Sequence, residues 1–134
     1  MQDQSLDELI RNLSPRLNDG EFVFCVDKDQ IAQPALVIAS FREHGGQTVV
    51  LPQTEAKRLG LNFESVMAWI TLDVQSSLDS VGLTARVSTV LAEAGIACNV
   101  MAGCHHDHLF VPIAKAQRAM EILNQLTSQK SKQP

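Results

Sequence analysis

Apolar side chains change their spacing at Gly95, from the period of a helix to the period of a strand. Before Gly95, the residues that share one side of a 3.6-residue helix are Leu83, Val87, Val90, Leu91 and Ala94. After Gly95, residues 96–101 alternate in the way that turns successive side chains to opposite faces of a sheet. Gly103 allows a turn, and residues 106–111 predict a second strand. The segment therefore predicts a helix followed by a hairpin.

Both ends of this helix carry residues that mark helix boundaries. Ser80 or Asp79 can cap the start by accepting a hydrogen bond from a free backbone N–H. Gly95 suits the left-handed residue that often ends a helix. The sequence thus predicts a start shortly after Ser80 and an end at Gly95.

The rest of the chain divides into shorter elements. Ser5 and Glu8 fit a capping box, which predicts a first helix that Pro15 ends. The remaining predicted elements are strands at residues 22–26, 35–41, 48–51 and 66–74, and helices at 52–59 and 113–127. A turn through His44 and the two following glycines joins the second and third of these strands as a hairpin.

The order of these elements predicts an α+β fold. The second half runs strand, helix, strand, strand, helix, which is the βαββα order of a ferredoxin-like unit with helices on one face of an antiparallel sheet. The first half is a looser copy of this order. We therefore expect an N-terminal subdomain at residues 1–62, a C-terminal domain at 63–128 and a flexible tail at 129–134.

The predicted C-terminal unit lacks the last strand of a ferredoxin-like fold. This leaves a sheet edge whose N–H and C=O groups need partners. Either a strand from residues 21–51 joins the sheet, or a second copy of the chain covers it. We predict a homodimer or a higher homo-oligomer.

Composition and charge exclude several classes of function. The net charge is −4 and the Lys and Arg residues are scattered, so we expect no nucleic-acid partner. No apolar run approaches the roughly 20 residues that cross a bilayer, and the N-terminus is acidic rather than a secretion signal. The three cysteines have no CxxC spacing. These features predict a cytoplasmic protein with reduced thiols, no membrane partner and no cofactor.

The segment ITLDVQSSLDSVGLTARVSTVLAEAGIACNVMAG resembles the opening of an ACT domain, the small ferredoxin-like module that senses amino acids in many metabolic enzymes. The segments LDELIRNLSPRL, EFVFCV, FREHGGQTVVLP and CHHDHLFVPIAKAQRAMEIL resemble small bacterial tandem-ACT proteins of undetermined function. The resemblance covers nearly the full length and includes no attached enzyme portion. It implies a regulatory module that binds a small effector, most simply an amino acid.

In ACT domains the ligand pocket lies where the loop after the first strand meets the next strand. By position, the resemblance implies a site formed by Leu78, Asp79, Ser80, Val81, Gly82, Leu83, Asn99 and Val100. Free N–H groups at a helix start attract a carboxylate, and Asp79 or Asp107 could accept from the ligand's ammonium. The chain has Val81-Gly82 where many ligand-binding ACT loops have Pro-Gly. A helix cap and a tight turn without a ligand is the alternative interpretation.

Two other functions compete with an amino acid sensor. One is an ACT-type assembly or protein-interaction module that binds no ligand. The other is a metal site, because Cys104, His106 and His108 would share one face if all three were in strand conformation. Gly103 predicts a turn there, which favours histidines that hydrogen-bond locally or line an interface. No nucleophile has a matched base, so we expect no enzyme activity and no catalytic residue.

Overall fold

The computed structural model describes residues 5–132, with side chains described for residues 5–128. The helices are α1 (Leu6–Arg11), α2 (Gln53–Leu59), α3 (Leu83–Glu93) and α4 (Ala116–Lys132). The strands are β1 (Pro15–Leu17), β2 (Phe22–Asp27), β3 (Ala39–Glu43), β4 (Gly46–Pro52), β5 (Met67–Leu72), β6 (Asn99–Ala102) and β7 (Asp107–Pro112). Single 3-10 turns lie at Pro34–Leu36 and Ile113–Lys115.

The chain forms two compact units. The first unit combines the residues up to Asn18 with those from Trp69 onward, and the second is Asp19–Ala68. The predicted domain boundary at residue 62 stays a prediction. The predicted tail at residues 129–134 overlaps the last turn of α4, and its residues 133–134 lie outside the described residues.

The first unit confirms the predicted order of a ferredoxin-like fold. It contains β5, α3, β6, β7 and α4 in chain order, with helices packed on an antiparallel sheet. β7 lies beside β5 and pairs with β6, with Asn99 opposite Phe110 and Ala102 opposite Asp107. α4 contacts α1, α3 and β7. The core includes Leu9, Ile10, Ile70, Leu72, Val87, Leu91, Leu109, Val111 and Leu123.

Strand β1 was missed by the sequence analysis, and it pairs with the edge of β5 that we expected to be open. Pro15 lies opposite Leu72, and Leu17 lies opposite Ile70. Helix α1 ends at Arg11, and Pro15 begins this strand instead of ending the helix. A three-residue strand is too short to show a period of two. A strand from residues 21–51 also joins β5, as one of the two alternatives expected, because Phe22 of β2 lies opposite Met67 at the start of β5. The two pairings together remove the need for a second copy there.

The start of α1 and both ends of α3 lie where the sequence predicts them, but the predicted cap of α3 is wrong. Ser5 Oγ accepts from the Glu8 N–H at 3.2 Å, as a capping box requires. Gly95 has the positive φ of 75° expected just after a helix. Neither Ser80 nor Asp79 caps α3, because the N-cap residue is Gly82, which makes no side-chain cap bond. The first strand of the segment, expected from residue 96, begins later, at Asn99.

The second unit confirms the predicted hairpin and the helix that follows it. β4 pairs with β3 on one side and with β2 on the other. Gly60 ends α2 with a φ of 73°. The core of this unit comprises Val23, Cys25, Val49, Leu51 and Ala56. Within residues 5–132, no helix has the length and apolar character needed to cross a membrane.

Candidate functional site

A small crevice of about 70 Å³ lies in the first unit at the start of α3. One wall is the loop before α3 together with its first turn, and the other is the turn between β6 and β7. The lining residues are Ser76, Ser77, Leu78, Ser80, Leu83, Thr84, Ala102, Gly103 and Asp107. Hydroxyl groups, one carboxyl group and backbone therefore dominate the lining.

The first turn of α3 lies against this crevice and has backbone N–H groups without an intrahelical partner. The first intrahelical bond runs from the Arg86 N–H to the Gly82 carbonyl at 2.9 Å. The N–H groups of the residues between them have no carbonyl four positions back within the helix. Leu83 and Thr84, which carry two of these groups, line the crevice. The positive end of the helix dipole adds to their attraction for an anion.

The loop before α3 uses its own amides internally. The Ser77 N–H donates to Ser80 Oγ at 3.1 Å, and the Asp79 N–H donates to Ser77 Oγ at 3.2 Å. The Ser80 N–H donates to the Ser77 carbonyl at 3.1 Å. These loop amides are therefore satisfied by the chain itself, and the anion-binding capacity of the crevice belongs to the helix start.

Asp107 is the one carboxyl group among the described residues of the lining. Burial raises its pKa, and the neighbouring His108 and His106 oppose that rise. Its charged form is thus poorly solvated in the unliganded protein. An ammonium group in the crevice would supply the missing opposite charge.

Four of the predicted site residues line the crevice: Leu78, Ser80, Leu83 and Asp107. Asp79 and Val81 lie in the same loop but point to solvent, with Val81 86% exposed. Val100 is paired with Leu109 and does not line the crevice.

Asn99 lies on the sheet face opposite the crevice. Successive side chains of a strand face opposite sides, and Ala102 lines the crevice, so the side chain of Asn99 faces the other way. Its Nδ2 donates to the Phe110 carbonyl at 3.4 Å. The structure therefore does not bring Asn99 together with the loop.

Gly82 has a conformational reason to be glycine that does not depend on a ligand. Its φ is 102°, and a Cβ at this position would lie 3.0 Å from Leu6 Cδ2. The left-handed backbone and the close approach of α1 each disfavour a larger residue.

Five lining residues were not predicted from the sequence: Ser76, Ser77, Thr84, Ala102 and Gly103. Ser76 and Ser77 belong to the segment that resembles an ACT domain but directly precede the first predicted site residue, Leu78. The run of serines directly before a helix start was the available signal. Ala102 and Gly103 reach the site only through the hairpin, and no local pattern reveals that approach.

The side chains of the cysteine and histidine turn beside the crevice do not converge on one point. Among residues 5–128, no group of three or more His, Cys, Asp or Glu side chains is placed to hold a metal ion. Cys104 is exposed and lies outside the strand, so the alternation that would align it with His106 and His108 is broken. Nδ1 of His108 instead accepts a hydrogen bond from Trp69 Nε1 at 3.0 Å.

A second, larger cavity of about 410 Å³ lies in the second unit and was also missed. Asp27 is only 3% exposed at its edge, and its two oxygens accept from the N–H groups of Ile31 at 3.0 Å and Ala32 at 2.9 Å. Gln30, in the same loop, has a positive φ of 55°. A carboxylate directly after a strand and before a polar loop was the sequence signal.

Models of the ACT domain family match two adjoining parts of the chain, residues 3–68 and residues 64–125. The chain belongs to the ACT domain family. The two matches agree with the tandem-ACT resemblance of the sequence and cover both halves of it. No curated protein sequence matches the chain.

Solved structures of similar fold include one that is also similar in sequence. A protein of unknown function from Vibrio cholerae, described as a possible transport protein, is 42% identical with a TM-score of 0.82, over 91% of this chain and 95% of that one. A protein from Agobacterium tumefaciens is 17% identical with a TM-score of 0.65, over 86% and 89% of the two chains. The ligand-free regulatory subunit of aspartate kinase from Thermus thermophilus is 11% identical with a TM-score of 0.59, over 84% and 95%. The last two likenesses concern the fold alone.

Proposed function

We propose that this ACT protein is a non-enzymatic regulatory module that binds an amino acid in the crevice at the start of α3. The observation that carries the proposal is that a crevice of about 70 Å³ is lined both by the start of a helix, which suits an anion, and by a carboxyl group, which suits a cation. The amides of Leu83 and Thr84 suit a carboxylate, and Asp107 suits an ammonium group. A zwitterion satisfies both at once, whereas a simple anion or cation satisfies only one.

The size of the crevice favours an amino acid with a small side chain. Sites for drug-sized ligands occupy roughly 300–1,000 Å³, several times this volume. An amino acid of about six or seven heavy atoms, at roughly 0.7–1 kcal/mol per atom, reaches a Kd between ~10 µM and ~1 mM. Screens at millimolar concentration are therefore required.

A thermal-shift panel of the standard amino acids tests this proposal. A ligand at ~100 times its Kd stabilises the fold by about 2.7 kcal/mol, which raises Tm by several degrees. We expect the largest shift from glycine, alanine or serine. Asp107→Asn should remove this shift, and Asp79→Asn is the matched control, because Asp79 is a nearby carboxylate that does not line the crevice. A flat panel for the wild-type protein would contradict the proposal.

An assembly module without a ligand is the second candidate, and one observation favours it. Leu78 and Val81, in the loop at the crevice, are 69% and 86% exposed. Exposed apolar side chains of this size on one loop are expected at a protein contact. If Val81→Ser weakens self-association while no amino acid raises Tm, the assembly function replaces the sensor.

The proposal places the module in the cytoplasm as a homodimer or a higher homo-oligomer. Membership in the ACT domain family supports the binding of a small effector, and the exposed side chains of Leu78 and Val81 support self-association.

A further inference from the structure

A chain of polar side chains crosses the sheet face of the first unit that lies opposite the core residues of β5. Arg16 Nη1 donates to Asn18 Oδ1 at 2.8 Å, and Asn18 Nδ2 donates to Thr71 Oγ1 at 2.9 Å. Trp69 Nε1 donates to His108 Nδ1 at 3.0 Å, and Thr71 Oγ1 lies 3.3 Å from the same nitrogen. The network thus ends on one atom, Nδ1 of His108.

The partners of His108 determine which ring nitrogen carries the proton. An indole N–H is only a donor, so Nδ1 accepts and the neutral ring holds its proton on Nε2. Because the Thr71 hydroxyl accepts from Asn18, its own hydrogen is available to Nδ1. A proton on Nδ1 would face the indole N–H and remove that bond. The arrangement therefore holds the neutral form of His108.

The imidazole of His108 also supports the turn that forms one wall of the crevice. A Cβ on Gly103 would lie 3.5 Å from Nε2 of His108, so the ring packs close to the turn backbone. The Gly103 N–H donates to the His106 carbonyl at 2.9 Å, and the Ser76 N–H donates to the His105 carbonyl at 3.4 Å. Gly103 and Ser76 both line the crevice. The ring therefore packs against a turn that is itself hydrogen-bonded to Ser76 on the other wall.

We propose that His108 is a positioning residue for the crevice and that a proton on its ring releases the turn at residues 103–106 from the sheet. At neutral pH, the ring is tied to Trp69 and Thr71 and supports the wall. In acid, the bond from Trp69 is lost and the wall loosens. The consequence for ligand binding rests on the proposed function, whereas the movement of the turn does not.

Charged groups on three neighbouring segments face His108 and act in opposite directions. Burial lowers its pKa most, and His106 and Arg16 lower it further, while Asp107 and Asp73 raise it. Asp73 is itself paired with Arg16, Nε to Oδ2, at 2.9 Å. The pKa therefore lies below the ordinary value of 6.5. Because the pKa of His108 is lower in the folded state, neutral His108 contributes its full stabilisation of the fold above the ordinary pKa of 6.5. This contribution is lost as pH falls through the folded-state pKa.

The fluorescence of the unliganded protein reports the proton on His108 directly, because Trp69 is the only tryptophan in the sequence. The two ring centroids lie 5.8 Å apart. We expect the wild-type emission to change with a midpoint below pH 6.5. His108→Gln should abolish this transition, because glutamine accepts from the indole but does not titrate. His106→Gln is the matched control and should retain it.

Proton NMR separates a titrating switch from a merely structural histidine. The backbone amide signals of Gly103 and Ser76 should shift with the same midpoint as the His108 ring signals. Trp69→Phe and Thr71→Val each remove one hydrogen-bond donor to Nδ1, so each should raise the pKa of His108. These two variants test the proposal without His108→Gln, should that variant fail to fold.

Any one of three results would overturn the proposal. These are a fluorescence midpoint at or above pH 6.5, a fluorescence transition that persists in His108→Gln, and amide signals of Gly103 and Ser76 that do not shift as the His108 ring titrates. A flat amino acid panel alongside an intact titration would overturn only the proposed function.

Discussion

Asp107 and Asn99 show what a sequence can and cannot say about a single site residue. A carboxylate next to a predicted hairpin turn was a sound candidate, and Asp107 does line the crevice. Asn99 and Val100 were both assigned to the same wall, although neighbours on one strand face opposite sides. Thr84 and Gly103 were missed because helix and hairpin meet only in the tertiary structure.

Replacing Asp107 should improve the stability of the unliganded protein while it removes ligand binding. The pKa of Asp107 is raised in the fold, so its contribution to stability is present below its unfolded pKa and is lost as pH rises through the folded value. Asp107→Asn should therefore raise the free energy of unfolding at pH 7, and the gain should disappear at low pH. Urea denaturation at several pH values measures this.

A loss of stability in Asp107→Asn at pH 7 would contradict this interpretation of the carboxyl group. Asp79→Asn, at an exposed position, should leave stability unchanged at both pH values.

Alanine substitutions at Gly82 and Gly95 distinguish the cost of backbone strain from the cost of a packing clash. Both have positive φ, but a Cβ on Gly95 meets nothing within 4 Å, whereas a Cβ on Gly82 would meet Leu6 at 3.0 Å. Gly95→Ala should cost about 1 kcal/mol through its left-handed backbone. Gly82→Ala should cost more, by roughly 1–3 kcal/mol in all, because the contact with α1 must also shift. Equal losses in urea denaturation would show that the contact with Leu6 is unimportant.

At the scale of elements, boundaries marked by glycine were predictable and boundaries made by tertiary contacts were not. Gly60 and Gly95 follow α2 and α3 as expected, because a left-handed residue is a local requirement. Strand β1 exists because its three residues pair with β5, so only long-range contact defines it. The capping residue of α3 was predicted wrongly, because the Ser80 hydroxyl bonds within its own loop and Gly82 is the N-cap.

Helix α4 stabilises the end of α1 through one hydroxyl group. Thr127 Oγ1 lies 2.7 Å from the Ile10 carbonyl and 3.0 Å from the Leu13 carbonyl, and it donates to them. Thr127→Val keeps the shape but removes the hydroxyl donor from both carbonyls. The Ile10 carbonyl still accepts from the Leu13 N–H at 3.2 Å, whereas the Leu13 carbonyl loses the Thr127 hydroxyl, so the change should lower the free energy of unfolding by about 1–3 kcal/mol. The control is Ser88→Ala on α3, whose hydroxyl is exposed and bonds within its own helix. If both variants unfold at the same urea concentration, Thr127 does not join the two helices.

At the scale of the whole molecule, the two ACT matches account for the fold but not for the assembly. The homodimer was first predicted from an open sheet edge, and β1 now pairs with that edge. The exposed side chains of Leu78 and Val81 still favour a contact between two copies of the chain. Sedimentation at micromolar concentration should give a species of twice 14.7 kDa, and Val81→Ser should shift it towards the monomer. A wild-type monomer would contradict the predicted dimer.

The central claim is that the start of α3 and the turn after β6 together bind a small zwitterion. Titrating the ¹⁵N-labelled protein with glycine, alanine and serine while recording amide spectra tests it most directly. We predict saturable shifts for the amides of Leu83, Thr84 and Gly103, with Val23 and Val49 of the second unit unmoved. An absence of saturable shifts with every standard amino acid, or saturable shifts confined to residues away from the crevice, would contradict it.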